Sequence, residues 1–260
     1  MSDIQTICLL GFGEVGQILA ADLGGRDNVA LKTFDILFDE PDSVPSIAAA
    51  RMSGIDACTS PAAAAKDSDL VISAVTAARD LEAACSVAEA LADDAWFVDL
   101  NSVSPATKAR VGDVVERAGG RYVEAAVMSP IIPARIASPM LLGGPHARAF
   151  IEVATELGFT GARAYSDSVG LASATKMCRS VVVKGVESLL TESLVGNGLL
   201  LLLAGLCLVR DRPTTPRVAA LLLATGLWLG LKDSLLPLWP VIVVALVWAG
   251  REGTGGRAGA

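Results

Sequence analysis

Six residues near the N-terminus limit what this 260-residue chain can fold into. They read Gly11-Phe12-Gly13-Glu14-Val15-Gly16, a GxGxxG that follows the apolar run Ile7-Cys8-Leu9-Leu10 and opens a stretch with helical spacing. In such a strand–turn–helix frame each glycine has a physical task. Gly11 permits the tight turn, Gly13 lets backbone approach a pyrophosphate, and Gly16 lets helix and strand pack closely. The helix N-terminus then offers free N–H groups and a partial positive charge to phosphates. The whole turn, with Phe12, Glu14 and Val15 between its glycines, is therefore a candidate cofactor site for NAD or NADP.

Apolar runs and amphipathic stretches alternate through the next 150 residues or so. Strands are expected over residues 7–10, 29–34, 55–57, 70–75, 96–99, 122–127 and 140–142. Helices are expected over 14–23, 46–53, 78–91 and 147–157, and two more open at Ser60-Pro61 and Ser104-Pro105, each a cap followed by a proline. This β-α alternation predicts an α/β fold, a Rossmann-like doubly wound parallel sheet covered on both faces. It fills residues 1–165. From Ser168 to Ser193 the strand-and-turn punctuation stops, and one long helix is expected.

Further candidates lie at the ends of the predicted strands, where ligands sit in open α/β sheets. Asp35 follows Gly16 by 19 residues and closes the second strand. An acid there accepts from ribose hydroxyls and repels a 2′-phosphate, which favours NAD over NADP; an ordinary solvent-facing loop acid is the other reading. Val75 and Thr76 end the fourth strand and join the cofactor candidates. Asn101 and Ser102, after the fifth strand, either reach nicotinamide or substrate, or shape the turn that Ser104 caps. Lys176 stands on a small and apolar helical stretch, where desolvation would lower its pKa enough for acid–base work; a solvated surface lysine is the alternative. His146, the single histidine, reads as a capping or solvated residue, which disfavours a His–Asp dehydrogenase pair. The net charge of −7 excludes a basic nucleic-acid surface, and the five cysteines show neither CxxC nor metal spacing. No signal peptide is legible, so the dinucleotide domain is expected to face the cytoplasm.

Taken in order, these motifs resemble the β-hydroxyacid dehydrogenases, the family of 6-phosphogluconate and 3-hydroxyisobutyrate dehydrogenases, over residues 4–195. The resemblance implies a helical substrate domain, begun here by residues 166–195, and a homodimer. It also implies a small-molecule hydroxy acid or related polar alcohol as substrate, hydride transfer to the nicotinamide, and Lys176 as general acid/base. Asn101, Ser102, Ser129 and Ser180 become candidate substrate contacts. Two departures stand out. The family's Asp-Ala-Pro-Val-Ser-Gly-Gly loop reads Glu124-Ala125-Ala126-Val127-Met128-Ser129-Pro130 here, and the asparagine four residues past the lysine is Ser180, preceded by Arg179.

The tail departs further. Residues 193–250 carry six charges and three tryptophans, and the runs 193–209, 218–231 and 234–250 are uncharged. Their lengths are 17, 14 and 17 residues; the first and third just reach the about 17–25 apolar residues a span needs, the middle one is short, and membrane association is expected. Residues 196–260 are thus expected to form a hydrophobic, transmembrane helical tail. Arg210, Arg212 and Arg217 would then lie outside if the head is cytoplasmic, against the positive-inside rule: either the segments do not span as simple helices, or the tail was not shaped together with the head, as in a gene fusion, which is favoured, or a reading error. A membrane-tethered dinucleotide binder without turnover, or an inactive truncated or fused product, is the alternative to an enzyme.

Overall fold

The structure, a computed structural model, describes residues 4–26 and 29–211, with 192–211 as backbone alone. The chain divides into two compact units, Met1–Lys184 and Gly185–Ala260. The first contains one eight-stranded sheet. Its strands are β1 (Thr6–Leu10), β2 (Ala30–Phe34), β3 (Ile55–Ala57), β4 (Leu70–Ser73), β5 (Trp96–Asp99), β6 (Arg121–Val127), β7 (Met140–Gly143) and β8 (Ala162–Ser166). They lie in the order β3-β2-β1-β4-β5-β6-β7-β8. The first six are mutually parallel. Their order is that of a dinucleotide-binding sheet, with its switch point between β1 and β4.

Strand alternation makes the two layers. Ile7 and Leu9 of β1 enter a core with Leu19, Leu23 and Phe150, while Cys8 and Leu10 enter the opposite core with Val111, Val115 and Tyr122. Helices α1 (Glu14–Leu23) and α6 (Ala147–Glu156) cover the first face. Helices α3 (Pro61–Ala65), α4 (Asp80–Val87) and α5 (Pro105–Arg117) cover the second, and α2 (Val44–Arg51) packs beside the edge strands. The serine–proline starts behave as the sequence predicts. Ser60 accepts from the Ala63 N–H and Ser104 from the Thr107 N–H, with proline in the first turn of each helix. Each cap contributes about 1 kcal/mol relative to alanine.

Three expectations need correction. The sheet is not parallel throughout, because β7 pairs antiparallel with β6 and β8 runs parallel to β7. The 128–139 connection holds only a short 3-10 turn at Arg135–Ala137, and a parallel return would need a crossover, usually helical. The eighth strand escapes a search for apolar runs because three of its five residues, Arg163 to Tyr165, are exposed. The expected helix over 78–91 is α4 flanked by 3-10 turns at Ala77–Arg79 and Ala88–Ala90.

The last described helix, α7 (Leu171–Asp211), follows Gly170, whose φ of +97° suits glycine. The backbone of this helix runs on through residues 193–209. Among the described residues no helix is long and apolar enough to cross a membrane. The runs 218–231 and 234–250 lie outside the described residues.

Candidate active site

The glycine turn is built as its sequence requires. Gly11 has φ +90°, and a Cβ there would overlap the Ala74 carbonyl at the end of β4. A Cβ at Gly16 would overlap the Gly11 carbonyl oxygen. At Gly13 a Cβ would meet nothing within 4 Å, so the first turn of α1 faces open space. Gly13 caps α1 without a side-chain bond, which leaves the first N–H groups for an anion. Two tight positions and one open one are what a pyrophosphate cradle needs, and the residues present fit a dinucleotide.

Asp35 buttresses this turn. Its Oδ2 accepts the Phe12 N–H at 2.7 Å and its Oδ1 accepts the Leu37 N–H at 2.9 Å. Phe12 is buried, while Glu14 is exposed and Val15 half-buried on α1. Val75 lies against the turn, since a Cβ at Gly11 would come within 3.2 Å of it. Thr76 is exposed and stands at the N-cap of a 3-10 turn without a side-chain cap bond.

At the end of β5 the buried Asn101 is held from three sides. Its N–H donates to Asp99 Oδ1 at 2.9 Å, and its Nδ2 donates to Ser73 Oγ at 2.9 Å and to Asp80 Oδ1 at 2.7 Å. Asn101 therefore braces the strand ends, and Ser102 beside it is exposed. Lys176 Nζ donates to Ser102 Oγ at 2.7 Å. Burial, and next the charge of Lys108, lower the Lys176 pKa below the usual 10.5. Lys176 is half-buried, between the desolvated and the solvated alternatives of the sequence argument.

Beneath these residues lies a buried charge cluster that sequence reading misses. Lys108 of α5 is fully buried, 2.7 Å from Asp99 Oδ1, and donates to the Asp99 carbonyl at 3.0 Å. The Tyr122 hydroxyl donates to Asp99 Oδ2 at 2.9 Å, and burial first, with Asp99 next, pushes its pKa up. Lys108 stands in register with Val111, Gly112 and Val115, the buried stripe of α5. That spacing was the available signal. Glu124 is buried too, accepting the Gly170 and Ser173 N–H groups, each at 2.6 Å. It pins the start of α7 to β6, one turn before Lys176.

The remaining candidates stand apart. Ser129 is half-buried and its hydroxyl donates to the Pro130 carbonyl at 3.1 Å. Ser180 is half-buried, one turn beyond Lys176, and its hydroxyl has no partner among the described residues. Arg179, exposed on α7, donates from Nη1 to the Met128 carbonyl. His146 lies 3.2 Å from a Glu116 carboxylate oxygen and edge-on to Trp96, away from Lys176. Among the described residues no group of three or more His, Cys, Asp or Glu could hold a metal ion.

Comparisons agree with this geometry. Residues 6–170 match the NAD binding domain of 6-phosphogluconate dehydrogenase. A conserved hypothetical protein from Sinorhizobium meliloti 1021 is 38% identical, with TM-score 0.66 over 74% of this chain and 64% of its own. Conserved protein MTH1747, described as structurally similar to 3-hydroxyacid dehydrogenases, is 31% identical with TM-score 0.62, over 75% of this chain and 70% of its own. The Mycobacterium tuberculosis 3-hydroxyisobutyrate dehydrogenase, solved with L-serine, shares the fold at 23% identity and TM-score 0.63, over 76% and 66% of the two chains. The chain thus spans less than two thirds of the Sinorhizobium protein's length. Nothing among the curated proteins matches it. By the match over residues 6–170 and these relatives, the chain belongs to the 6-phosphogluconate dehydrogenase-like family of NAD-binding proteins.

Proposed function

We propose that this protein is a nicotinamide-dependent oxidoreductase of small hydroxy acids or related polar alcohols, with Lys176 as general acid/base. The observation that carries this reading is the 2.7 Å contact of Lys176 Nζ with Ser102 Oγ, beside a strand end of the dinucleotide-binding sheet. The turn at residues 11–16 would hold the pyrophosphate, and Asp35, Val75 and Thr76 would line the rest of the cofactor. A bound nicotinamide supplies the hydride acceptor. Lys176, in its neutral form, takes the proton of the substrate hydroxyl and returns it in the reverse direction. Its lowered pKa keeps more of that form near neutral pH. Asn101 keeps Ser102 in place, and Ser102 hands Lys176 a hydrogen-bond partner until substrate arrives. Asp35 favours NAD, because its charge opposes a 2′-phosphate.

Fluorescence titration with NADH and NADPH, followed by turnover of 3-hydroxy acids, tests the reading. NADH is expected to bind more tightly than NADPH. Lys176→Met should lower kcat by about 10²–10⁴-fold with NADH affinity unchanged. Oxidation should rise with pH through an apparent pKa below 10.5 that the variant lacks. Wild-type protein that binds NADH and turns over no hydroxy acid would instead support a dinucleotide-binding protein without turnover. Two parts of the reading rest on sequence alone: a homodimer, and membrane association through residues 193–250.

A further inference from the structure

We propose that the buried Lys108 acts on this site through Lys176, by clipping the loop that carries Ser102 and by setting an unscreened positive charge beneath the Lys176 amine. The inference rests on the oxidoreductase reading and adds to it a second lysine, one that does not meet the substrate. Lys108 is thus a positioning residue, and Lys176 is the group it acts on.

The loop after β5 is short, residues 100–104, and Lys108 holds both of its ends. Its Nζ donates to the carbonyl of Asp99, the last residue of β5, at 3.0 Å. Its N–H donates to the carbonyl of Ser104, the cap of α5, at 3.0 Å. Ser102 lies midway between these anchors and accepts from Lys176 Nζ at 2.7 Å. Its neighbour Asn101 is braced by Asp99, Ser73 and Asp80. The hydroxyl that meets Lys176 is therefore carried on a loop fixed from beneath by an ammonium group.

That ammonium is fully buried, so solvent does not damp its charge. An exposed cation such as Arg179 is screened by salt within about 8–10 Å, and a buried one much less. The other ionisable groups on the elements that meet here are committed elsewhere. Glu124 of β6 spends its two oxygens on the Gly170 and Ser173 N–H groups. Asp99 of β5 accepts from Asn101 and Tyr122 as well as facing Lys108. Asp80 of α4 accepts from the Asn101 amide, and Arg179 of α7 donates to the Met128 carbonyl. No acid pairs with Lys176 among the described residues, and after burial the charge that lowers its pKa is that of Lys108. A buried ion pair adds little net stability over apolar residues of the same volume, so folding alone does not account for a lysine at position 108.

The test follows the Lys176 amine itself and needs no substrate. The full chain is treated with trinitrobenzenesulfonate across a pH series, and labelling of Lys176 is measured by peptide mass spectrometry. In wild type the midpoint should lie below 10.5 and be the same at low and high salt. Lys108→Gln keeps amide donors for the Asp99 oxygens and removes the charge. Its midpoint should rise by at least about half a pH unit, a roughly threefold loss of neutral amine at a given pH. Lys108→Met combined with Asp99→Asn removes the ion pair as a unit and should move the midpoint the same way where the single variant does not fold. Lys184→Met, an exposed charge farther along α7, should leave it unmoved. The role of Lys108 is overturned if a folded Lys108 variant keeps the wild-type midpoint, even with turnover lowered equally at every pH. It is also overturned if Lys184→Met moves the midpoint as far, or if the wild-type midpoint sits at 10.5 or climbs with salt. Hydroxy-acid turnover by the same proteins separates the two readings. A midpoint that follows Lys108 without any turnover rejects the oxidoreductase reading alone, and turnover with an unmoved midpoint rejects the role of Lys108 alone.

Discussion

At the scale of single residues, the chemistry of this site is set by three buried charges where surface charges would be commonplace. Asp80 and Asp99 share one buried cation, Lys108, and Asp80 Oδ2 is sealed from solvent with no donor facing it among the described residues. Burial first, and the Asp99 charge second, raise the Asp80 pKa from 3.8 to about 6, against the pull of Lys108 and Asn101. Between those values the folded protein keeps a proton that the unfolded chain has lost. Stability therefore falls as pH rises from 3.8 to about 6, and the loss persists above that window. Asp80→Asn keeps an acceptor for the Asn101 amide and removes the charge. The variant should unfold at higher denaturant concentration than wild type near pH 7, and its stability should lose the fall across that window. Equal pH slopes for the two proteins would show that Asp80 is ionised throughout. The cluster also explains why Lys108 is easily passed over, since a lone lysine in Pro-Ala-Thr-Lys-Ala-Arg-Val looks solvated until its helical register is counted. Lys176 was legible for the opposite reason, being a charge on an otherwise small and apolar stretch.

At the scale of elements, the position of Lys176 depends on how α7 begins. Gly170 turns the chain, Glu124 reaches across from β6 to cap the free N–H groups, and Lys176 follows within two turns. A carboxylate at a helix N-terminus is favoured by the backbone dipole as well as by its hydrogen bonds. Gly143 of β7 admits it, because a Cβ there would come within 2.5 Å of Glu124 Oε2. Glu124→Gln leaves one acceptor for two N–H groups and turns an amide donor toward the other. The variant should be destabilised by about 1–3 kcal/mol. Because α7 loosens while the turn at residues 11–16 does not, kcat should fall severalfold with NADH affinity retained. A matching loss of NADH affinity would mean that Glu124 serves the whole domain and not the lysine. Sequence pattern revealed β1 and β4 to β7 through their apolar residues, β2 and β3 through their place in the β-α alternation, and the caps because serine–proline pairs mark them. It could not reveal that Glu124 is a cap. The residues it serves lie 46 and 49 positions away, and only the antiparallel turn of β7 and the return through β8 bring them together.

At the scale of the whole molecule, the sheet order gathers three strand ends that are far apart in sequence. The turns after β1, β4 and β5 carry Gly11 to Gly16, Val75 with Thr76, and Asn101 with Ser102. The candidate dinucleotide site therefore lies within the Met1–Lys184 unit. The rest of the chain has a different composition. Residues 193–250 hold six charges, and the runs 218–231 and 234–250 hold none. A stretch so poor in charge has few groups to face water. A run of 17 residues, 234–250, reaches the lower end of the length that crosses a bilayer, and 218–231, with 14, falls short of it. These two observations favour attachment of the tail to a membrane over burial in a separate water-soluble core. The expected outcome is that the full chain sediments with membranes, resists carbonate and high salt, and is released by detergent while still binding NADH. Release by salt alone would reduce the attachment to surface electrostatics, for which a net charge of −7 is poorly suited. Recovery in the soluble fraction without detergent would remove the membrane from the account and leave the dinucleotide site as it stands, because every residue of that site precedes the tail.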